Sequence, residues 1–358
     1  MSEPVEATPT EAQSPDTLLS LDAKQLAERF VALGGKPFHA RIAREQVLRH
    51  GISDYAPMTS LPAALRESLA AELPILSSRE VDRSIARDKT TKLLMGFPRT
   101  GGVEATIETV HIPPISNKSN KGATLCVSTQ VGCPVACPFC ASGRLGLVRN
   151  LAAHEIIEQY VRGRALGEIS RSVVMGIGEP MLNYENLTIA LDAVHDEMGL
   201  GSRKITVSTV GFPDRLRRAA DSGPRFQLAI SLHTPFDDQR DELVPAMKGT
   251  PIADVIAAAD YWFEVTGREV TYEYVLLGGE NDSVDHARAL ADRLWGKRCS
   301  VNLIPYNPVQ GDAYHRPHPE DVESFREFLE DAGRVATVRW SRGLEDDAAC
   351  GQLRVRNA

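Results

Sequence analysis

Apolar positions change their period twice along this chain. Between residues 21 and 76 they recur at helical spacing: Leu26, Phe30 and Leu33 share one face, Ile42, Val47 and Leu48 a second, and Ser60 and Pro62 open a third segment carrying Leu65 and Leu69. From about residue 81 to 113 the spacing tightens to alternation in two runs, 92–97 and 103–112, broken by Gly101-Gly102. This predicts hairpin strands that join the helical module to a main domain. From Thr124 onward strand-like and helix-like runs alternate, with strands predicted at 124–129, 172–176, 204–209, 227–232, 270–276 and 300–305 and helical patterns such as 154–165, 187–198 and 284–295 between them. Six βα units predict an α/β fold built on a parallel barrel or open part-barrel. Such barrels keep their chemistry on the loops after the C-terminal strand ends. Polar motifs fall there repeatedly: Gly178-Glu179-Pro180, Ser208-Thr209, Ser231-Leu232-His233 and Asn307-Pro308. A doubly wound open sheet would also place ligands at strand ends. The expected divisions are a tail over 1–20, a helical module over 21–76, linking strands over 77–118 and the α/β domain over 119–358.

Composition narrows the setting. With 358 residues, 42% of them hydrophobic, the chain has room for one large domain and a small one. Six cysteines in a chain this long do not suggest a secreted disulfide framework, and a reducing cytoplasm is the simpler home. No apolar run approaches the roughly 20 residues a membrane helix needs. Residues 1–20 carry four acids and no Lys or Arg and are rich in Pro, Thr and Ser, which predicts a disordered tail and neither a signal nor a transit peptide. The net charge of −8 argues against a nucleic-acid partner, but residues 21–100 hold thirteen basic against nine acidic residues. A basic module on an acidic body is compatible with RNA binding, and solvated helix faces give the same count. Arg41, Arg44 and Arg49 fall along one side of the second helical segment.

The most specific stretch is Cys133-Pro-Val-Ala-Cys137-Pro-Phe-Cys140, which follows the first predicted strand of the alternating region. Its spacing lets one loop aim three thiols at one centre, and soft thiolates select zinc, copper(I) or iron–sulfur clusters. Four ligands are usual for structural zinc and for electron-carrying clusters, and no fourth Cys or His lies in the loop. Either a coordination position stays open, or a zinc site is completed from elsewhere by His111, His154 or Cys126.

The cysteine loop running on to Arg149-Asn-Leu, Glu108-Thr-Val-His-Ile-Pro, Thr124-Leu-Cys-Val-Ser-Thr-Gln-Val-Gly, Val174-Met-Gly-Ile-Gly-Glu-Pro-Met-Leu-Asn183, Ile205-Thr-Val-Ser-Thr-Val-Gly211, Ile230-Ser-Leu-His233, Asn302-Leu-Ile-Pro-Tyr-Asn-Pro308 and Ala348-Ala-Cys-Gly-Gln-Leu353 form one set of motifs. Together they resemble the RlmN family of radical S-adenosylmethionine RNA methyltransferases. With a looser match over 36–72, the resemblance spans nearly everything but the tail. It implies a partial parallel (β/α)6 radical barrel with a helical RNA-binding module, in which Cys133, Cys137 and Cys140 hold a four-iron, four-sulfur cluster that chelates S-adenosylmethionine. It also implies methylation of carbon 2 of adenine in 23S rRNA and in tRNA, with two molecules of S-adenosylmethionine per turnover. Cys350 corresponds to the methyl carrier, Cys126 to the thiol that releases product through a transient disulfide, and Glu108 to the base that takes the ring proton. Gly178, Glu179, Ser208, Ser231, Leu232, His233 and Asn307 correspond to cofactor-binding positions. The implied partners are RNA and an electron donor such as flavodoxin or ferredoxin, for a cytoplasmic monomer.

Each residue also has a plainer reading. Cys126 and Cys350 fit core packing, a strand Glu like Glu108 usually faces solvent, and Ser or Asn at strand ends are often caps. Arg144, Arg149 and Lys204 are candidate phosphate contacts, and Cys299 matches no motif. The sequence departs from the family pattern at Ala246-Met247, Trp340 and Leu344-Glu-Asp-Asp347. Two other functions stay open: carbon-8 methylation by a Cfr-like enzyme, against which Met-Leu-Asn after Gly178-Glu-Pro180 weighs, and a non-catalytic RNA-binding protein with a structural metal, which would need neither Cys126 nor Cys350.

Overall fold

A computed structural model of the chain describes residues 16–100, 103–114, 122–309, 311, 313–343 and 347–354. The Gly101-Gly102 break, Leu344 to Asp346 and most of the acidic tail lie outside the described residues. The chain enters the fold earlier than the expected boundary at residue 20, because Leu18 and Leu19 are buried and Leu18 N donates to Pro74 O at 2.9 Å.

Three helices come first, α1 (Ala23–Ala32), α2 (Pro37–His50) and α3 (Ala63–Glu72). Leu26, Phe30, Val47, Leu48, Leu65 and Leu69 are buried, as the helical spacing predicts, and Asp22 opens α1 by accepting from Gln25 N at 2.8 Å. This module does not hang on a linker. Arg44 grips Glu197 through two hydrogen bonds of 2.6 and 2.8 Å, and Ser77 and Ser78 donate from their backbone to the Glu158 carboxylate at 2.7 and 2.8 Å.

Next come β1 (Arg79–Ile85), β2 (Thr91–Thr100) and β3 (Val103–Ile112). They do more than link, since β3 pairs antiparallel with β4 (Ala123–Cys126) and so extends the main sheet. A two-stranded ribbon of β5 (Gln130–Gly132) and β6 (Leu147–Asn150) follows, then α4 (Ala153–Leu166), β7 (Ile169–Val174), α5 (Tyr184–Asp196), β8 (Ile205–Thr209), α6 (Pro213–Asp221) and β9 (Gln227–Ser231). The chain continues through α7 (Asp237–Leu243), α8 (Ile252–Thr266), β10 (Val270–Leu276), α9 (Val284–Arg293), β11 (Cys299–Pro305), α10 (Pro319–Asp331) and β12 (Ala336–Val338).

The ten-stranded sheet runs β1-β2-β3-β4-β7-β8-β9-β10-β11-β12. Its first four strands pair antiparallel and β4 with β7 to β12 is parallel, so the sheet is mixed and open, with β1 and β12 at its edges. The structure therefore has an open α/β sheet with a seventh parallel strand beside the six expected, not a closed six-fold barrel. Parallel strands covered by helices are apolar throughout; β10 is buried along nearly its whole length, and Phe226 and Trp262 stack behind the sheet with ring centroids 5.6 Å apart. Among the described residues no helix is long and apolar enough to cross a membrane.

Candidate active site

The cysteine loop is presented by the β5–β6 ribbon. Gly132 sits at φ +76°, where a Cβ would lie 1.9 Å from Gly146 O, and Cys133 N donates to that same carbonyl at 3.0 Å. Only glycine lets the ribbon close at the root of the loop. The loop then turns Cys133, Cys137 and Cys140 into one cavity shared with Gly178, Glu179, Ser208, Ser231, His233, Asn307 and Cys350. Leu232 is absent from that wall: it is fully buried in the core, while the residues on either side of it line the cavity.

Gly178 has φ +111°, and a Cβ there would meet Gln130 and Thr129 at 2.7 to 2.8 Å. The position admits glycine alone, and its flat backbone forms part of the cavity floor. Gln130 accepts from Glu179 N at 2.7 Å and fixes the turn. The Glu179 carboxylate is already heavily engaged. Its Oε1 accepts from Thr209 Oγ1 at 2.5 Å and Met181 N at 2.9 Å, and its Oε2 accepts from Val210 N at 2.9 Å. One lone pair on Oε2 remains for a ligand. Burial pushes this carboxyl above its ordinary value, against the pull of those hydrogen bonds. Ser208 and Ser231, on neighbouring strands, bring their hydroxyls within 3.3 Å of each other. His233 adopts φ +66°, accepts from Val275 N at 3.1 Å through Nδ1, and meets the Phe139 ring edge-on at 5.1 Å. Burial, followed by the charge of Arg240, pulls this imidazole down to about 3, so it is neutral at physiological pH.

Asn307, a cofactor-binding position by the resemblance, spends its amide nitrogen within the protein. Nδ2 donates to Cys350 O at 2.9 Å and Ser341 Oγ at 2.8 Å, which leaves its oxygen toward the cavity side and Arg316. Asn307 thereby anchors the segment that carries Cys350. Three further bonds hold that segment: Ala141 N to Gly351 O at 2.8 Å, Ser142 Oγ to Leu353 O at 2.7 Å and Arg354 N to Glu108 Oε2 at 2.9 Å.

Cys350 also lines a second cavity, on whose wall stand Cys126, Met175, Glu273, Arg339 and Trp340, with Arg171, Arg203 and Lys204 at its mouth. Cys126, Val110, Ile177, Ala348 and Leu353 pack as one small cluster, so the strand cysteine lies against the C-terminal segment. Both thiols are free, and no disulfide joins them in this state. Burial pushes Cys126 up to about 12 and Cys350 up to about 11, each thiol opposed in part by Arg339. Cys350 thus stands in the partition between a thiol-lined cavity and a basic one.

Glu108 does not face solvent; it is fully buried, pairs with Lys92 at 3.3 Å and holds Arg354, and it lines neither cavity. Arg149 is spent on Glu155, with two bonds of 2.6 and 2.8 Å, whereas Lys204 is exposed at the second cavity. Cys299 is half-buried on β11 and lines neither cavity. At the departures from the family pattern, Met247 is buried, Ala246 N donates to Val135 O in the cysteine loop at 3.3 Å, Trp340 lies under Arg316 at 5.6 Å, and Asp347 O accepts from Lys92 at 2.9 Å. Sequence reasoning passed over Glu273, Arg339 and Arg240. A Glu in the middle of the apolar run Val270 to Leu276 was the available signal for the first, and Asn302 Nδ2 holds it at 2.8 Å.

The donor set suits an iron–sulfur cluster better than zinc. Among the described residues no three His, Cys, Asp or Glu side chains converge as ligands of one ion, and His111, His154 and Cys126 stay off the first cavity. A cluster spreads three thiolates over three metal atoms. Burial pushes Cys133 up to about 12, and burial with the neighbouring thiols pushes Cys137 well above its ordinary range, so thiolates at these two positions need a positive group to stabilise them.

A three-thiol loop at the end of the first parallel strand of an α/β sheet defines a radical S-adenosylmethionine enzyme, and the Radical SAM superfamily model matches residues 127–291. The ribosomal RNA large subunit methyltransferase N-terminal domain model matches residues 17–75. Relatives described as probable dual-specificity RNA methyltransferase RlmN include those of Synechococcus sp. strain CC9311, 43% identical over 94% of this chain and 97% of the relative, and Symbiobacterium thermophilum, 43% identical over 95% and 91%. A crystal structure of a radical SAM methyltransferase from Sphaerobacter thermophilus superposes with a TM-score of 0.85 at 41% identity, covering 95% of this chain and 99% of that one. The chain belongs to the RlmN family of radical S-adenosylmethionine RNA methyltransferases.

Proposed function

We propose that this enzyme methylates carbon 2 of adenine in 23S rRNA and in tRNA, through a methylated Cys350. The observation that carries the reading is the position of Cys350, open to the thiol-lined cavity on one side and to the basic cavity holding Cys126 on the other. When bound to Cys133, Cys137 and Cys140, a four-iron, four-sulfur cluster with S-adenosylmethionine supplies the methyl group and the 5′-deoxyadenosyl radical that an electron-poor ring carbon requires. Gly178 offers close backbone approach, and Glu179, Ser208, Ser231 and His233 supply polar groups for the cofactor. Six strands, β4 and β7 to β11, act as the partial barrel that holds these groups.

Cys350 carries the methyl group from the first cavity to the second, gives up a hydrogen atom from it to the 5′-deoxyadenosyl radical, and bonds through the resulting methylene to the ring carbon; the ring radical so formed loses its proton to a base and one electron, which would pass to the cluster that the three cysteines would hold. The Cys126 thiolate then attacks the Cys350 sulfur and breaks the sulfur–methylene bond, so that a disulfide forms while the methylene carbon leaves with the bonding pair and takes a proton, completing the methyl group of the released base. Glu108 is assigned the ring proton; as placed it holds Arg354 and Lys92, so it reaches substrate only once the C-terminal segment lets go. The basic mouth of the second cavity suits a phosphate backbone, and Met-Leu-Asn after Gly178-Glu179-Pro180 favours carbon 2 over carbon 8.

The test is a pair of variants incubated anaerobically with RNA, S-adenosylmethionine and reductant. Cys126→Ala is expected to leave RNA covalently attached, seen as a slow band on a denaturing gel that nuclease collapses, and Cys350→Ala to give none. Turnover by either variant at the unmodified rate, or an adduct in Cys350→Ala, defeats the assignment.

A further inference from the structure

Arg240, on α7, is one of the largest fully buried side chains of the molecule, with 1% of its surface exposed. Its Nη2 donates to Val210 O at 2.6 Å and, at 3.4 Å, to Ser231 O. Among the described residues Nε and Nη1, both buried, have no hydrogen-bond partner. Of the acids on its own helix, Asp237 accepts from Ile252 N and pairs with Arg293 at 3.0 Å, Asp241 accepts from Gly249 N at 2.9 Å, and Asp238 and Glu242 are exposed. A guanidinium keeps its proton and is costly to bury without a counter-charge. Among the described residues no carboxylate is hydrogen-bonded or ion-paired to this buried cation.

It lies behind the wall of the thiol cavity, since Val210 and Ser231, whose carbonyls it holds, line the same cavity as Cys133, Cys137 and Cys140. Three thiolates on an iron–sulfur core make an anionic group, and reduction by one electron adds another negative charge without a proton. In a water-poor interior a fixed positive charge favours the more negative state.

We infer that Arg240 is the built-in counter-charge of the iron–sulfur cluster held by Cys133, Cys137 and Cys140, raising its reduction potential and so easing the one-electron reduction that must precede cleavage of S-adenosylmethionine. The electron comes from an external low-potential donor. The inference rests on the radical-enzyme reading above, and the plain alternative is that Arg240 merely clamps the ends of β8 and β9.

The experiment compares wild type, Arg240→Gln and Arg240→Lys after anaerobic reconstitution, by iron content and by titration with dithionite and mediators followed by electron paramagnetic resonance. Arg240→Gln is expected to carry full iron but a reduced-to-oxidised ratio at least tenfold lower at fixed poise, a shift of about 59 mV for a one-electron couple. Arg240→Lys, which keeps the charge but not the carbonyl geometry, is expected to stay within threefold of wild type. Should Arg240→Gln fail to assemble a cluster while Arg240→Lys assembles one of normal potential, the need for charge at this place is upheld. An unshifted Arg240→Gln, an Arg240→Lys shifted as far as Arg240→Gln, or loss of iron from both overturns the inference and leaves the clamp. If wild type itself holds no reducible cluster, the radical-enzyme reading is what has failed.

Discussion

Buried polar side chains at the site do two jobs at once, and their substitution separates them. Glu108 and Lys92 face each other with side chains 0% and 5% exposed. Glu108→Gln removes the carboxylate that faces a buried ammonium and is expected to cost roughly 3–5 kcal/mol, most of it recovered in Glu108→Gln/Lys92→Met, because replacing both members of a buried pair is far milder than replacing one. Urea denaturation of wild type and the two variants checks this; a double variant as unstable as the single one would show that the cost lies elsewhere. His233 gives a pH signature. Its folded value of about 3 lies below the ordinary 6.5, so the unfolded chain binds a proton that the folded chain refuses. Its contribution is fully present above pH 6.5 and is lost as pH falls toward 3, at about 1.4 kcal/mol per unit. His233→Asn keeps an acceptor for Val275 N and suits the left-handed backbone. The variant is expected to flatten the fall in urea stability of the metal-free protein between pH 6.5 and 4.5 by about 1 kcal/mol per unit, and an unchanged slope would mean that His233 does not stay neutral. The three cysteines were legible in the sequence because their spacing is the chemistry, and Gly178 and Glu179 through their place after the second parallel strand and the family resemblance. Lys92 and Glu273 were not, since a lone charge in an apolar run says nothing of which partner the fold will bring to it, and Arg240 lies among the charges of Asp237-Asp-Gln-Arg-Asp-Glu242, where nothing marks it as buried.

The longer segments were legible to the extent that they carry a full period of pattern. Helices α4, α5 and α9 and strands β8 to β11 carry enough of it to be read, whereas the ribbon strands β5 and β6 and the edge strand β12 have only three or four residues each. The predicted first strand stops three residues early, at Cys126, because Ser128 and Thr129 leave the ladder to serve the site: Ser128 Oγ bonds Glu108 O at 2.7 Å and Ile177 N at 2.9 Å, and Thr129 O accepts from Asn183 at 2.8 Å. What no pattern could show is how the C-terminal segment is strapped to the cysteine loop and to Asn307. Asn307→Ala removes two hydrogen bonds and leaves the Cys350 carbonyl without its donor, at a cost of roughly 1–3 kcal/mol. With Cys350 loosened, RNA methylation is expected to fall at least tenfold while iron content and uncoupled cleavage of S-adenosylmethionine persist. Cleavage and methylation falling together would instead place Asn307 in cofactor binding alone.

The assembled molecule distributes its positive charge differently from the sequence count. Residues 21–100 are net basic, yet Arg44 is consumed in docking on Glu197, Arg49 lies 3.4 Å from Glu45, and Arg83 pairs with Glu80. Exposed Arg171, Arg203 and Lys204 instead gather at the mouth of the second cavity, from strand starts far apart in the chain and inside its acidic part. Local potential, not total charge, governs attraction of a phosphate backbone. On the proposed function this mouth meets RNA, each phosphate contact releasing counterions, so that log affinity falls with log salt by about 0.7 to 0.9 per contact. Arg203→Ala/Lys204→Ala is therefore expected to weaken RNA binding at low salt and to lower the salt slope by up to about 2, with reductive cleavage of S-adenosylmethionine unchanged because neither residue lines the first cavity. Filter binding of tRNA across a salt series measures both quantities. An unaltered slope would return the RNA interface to the N-terminal helices, where Arg41 is still exposed on α2.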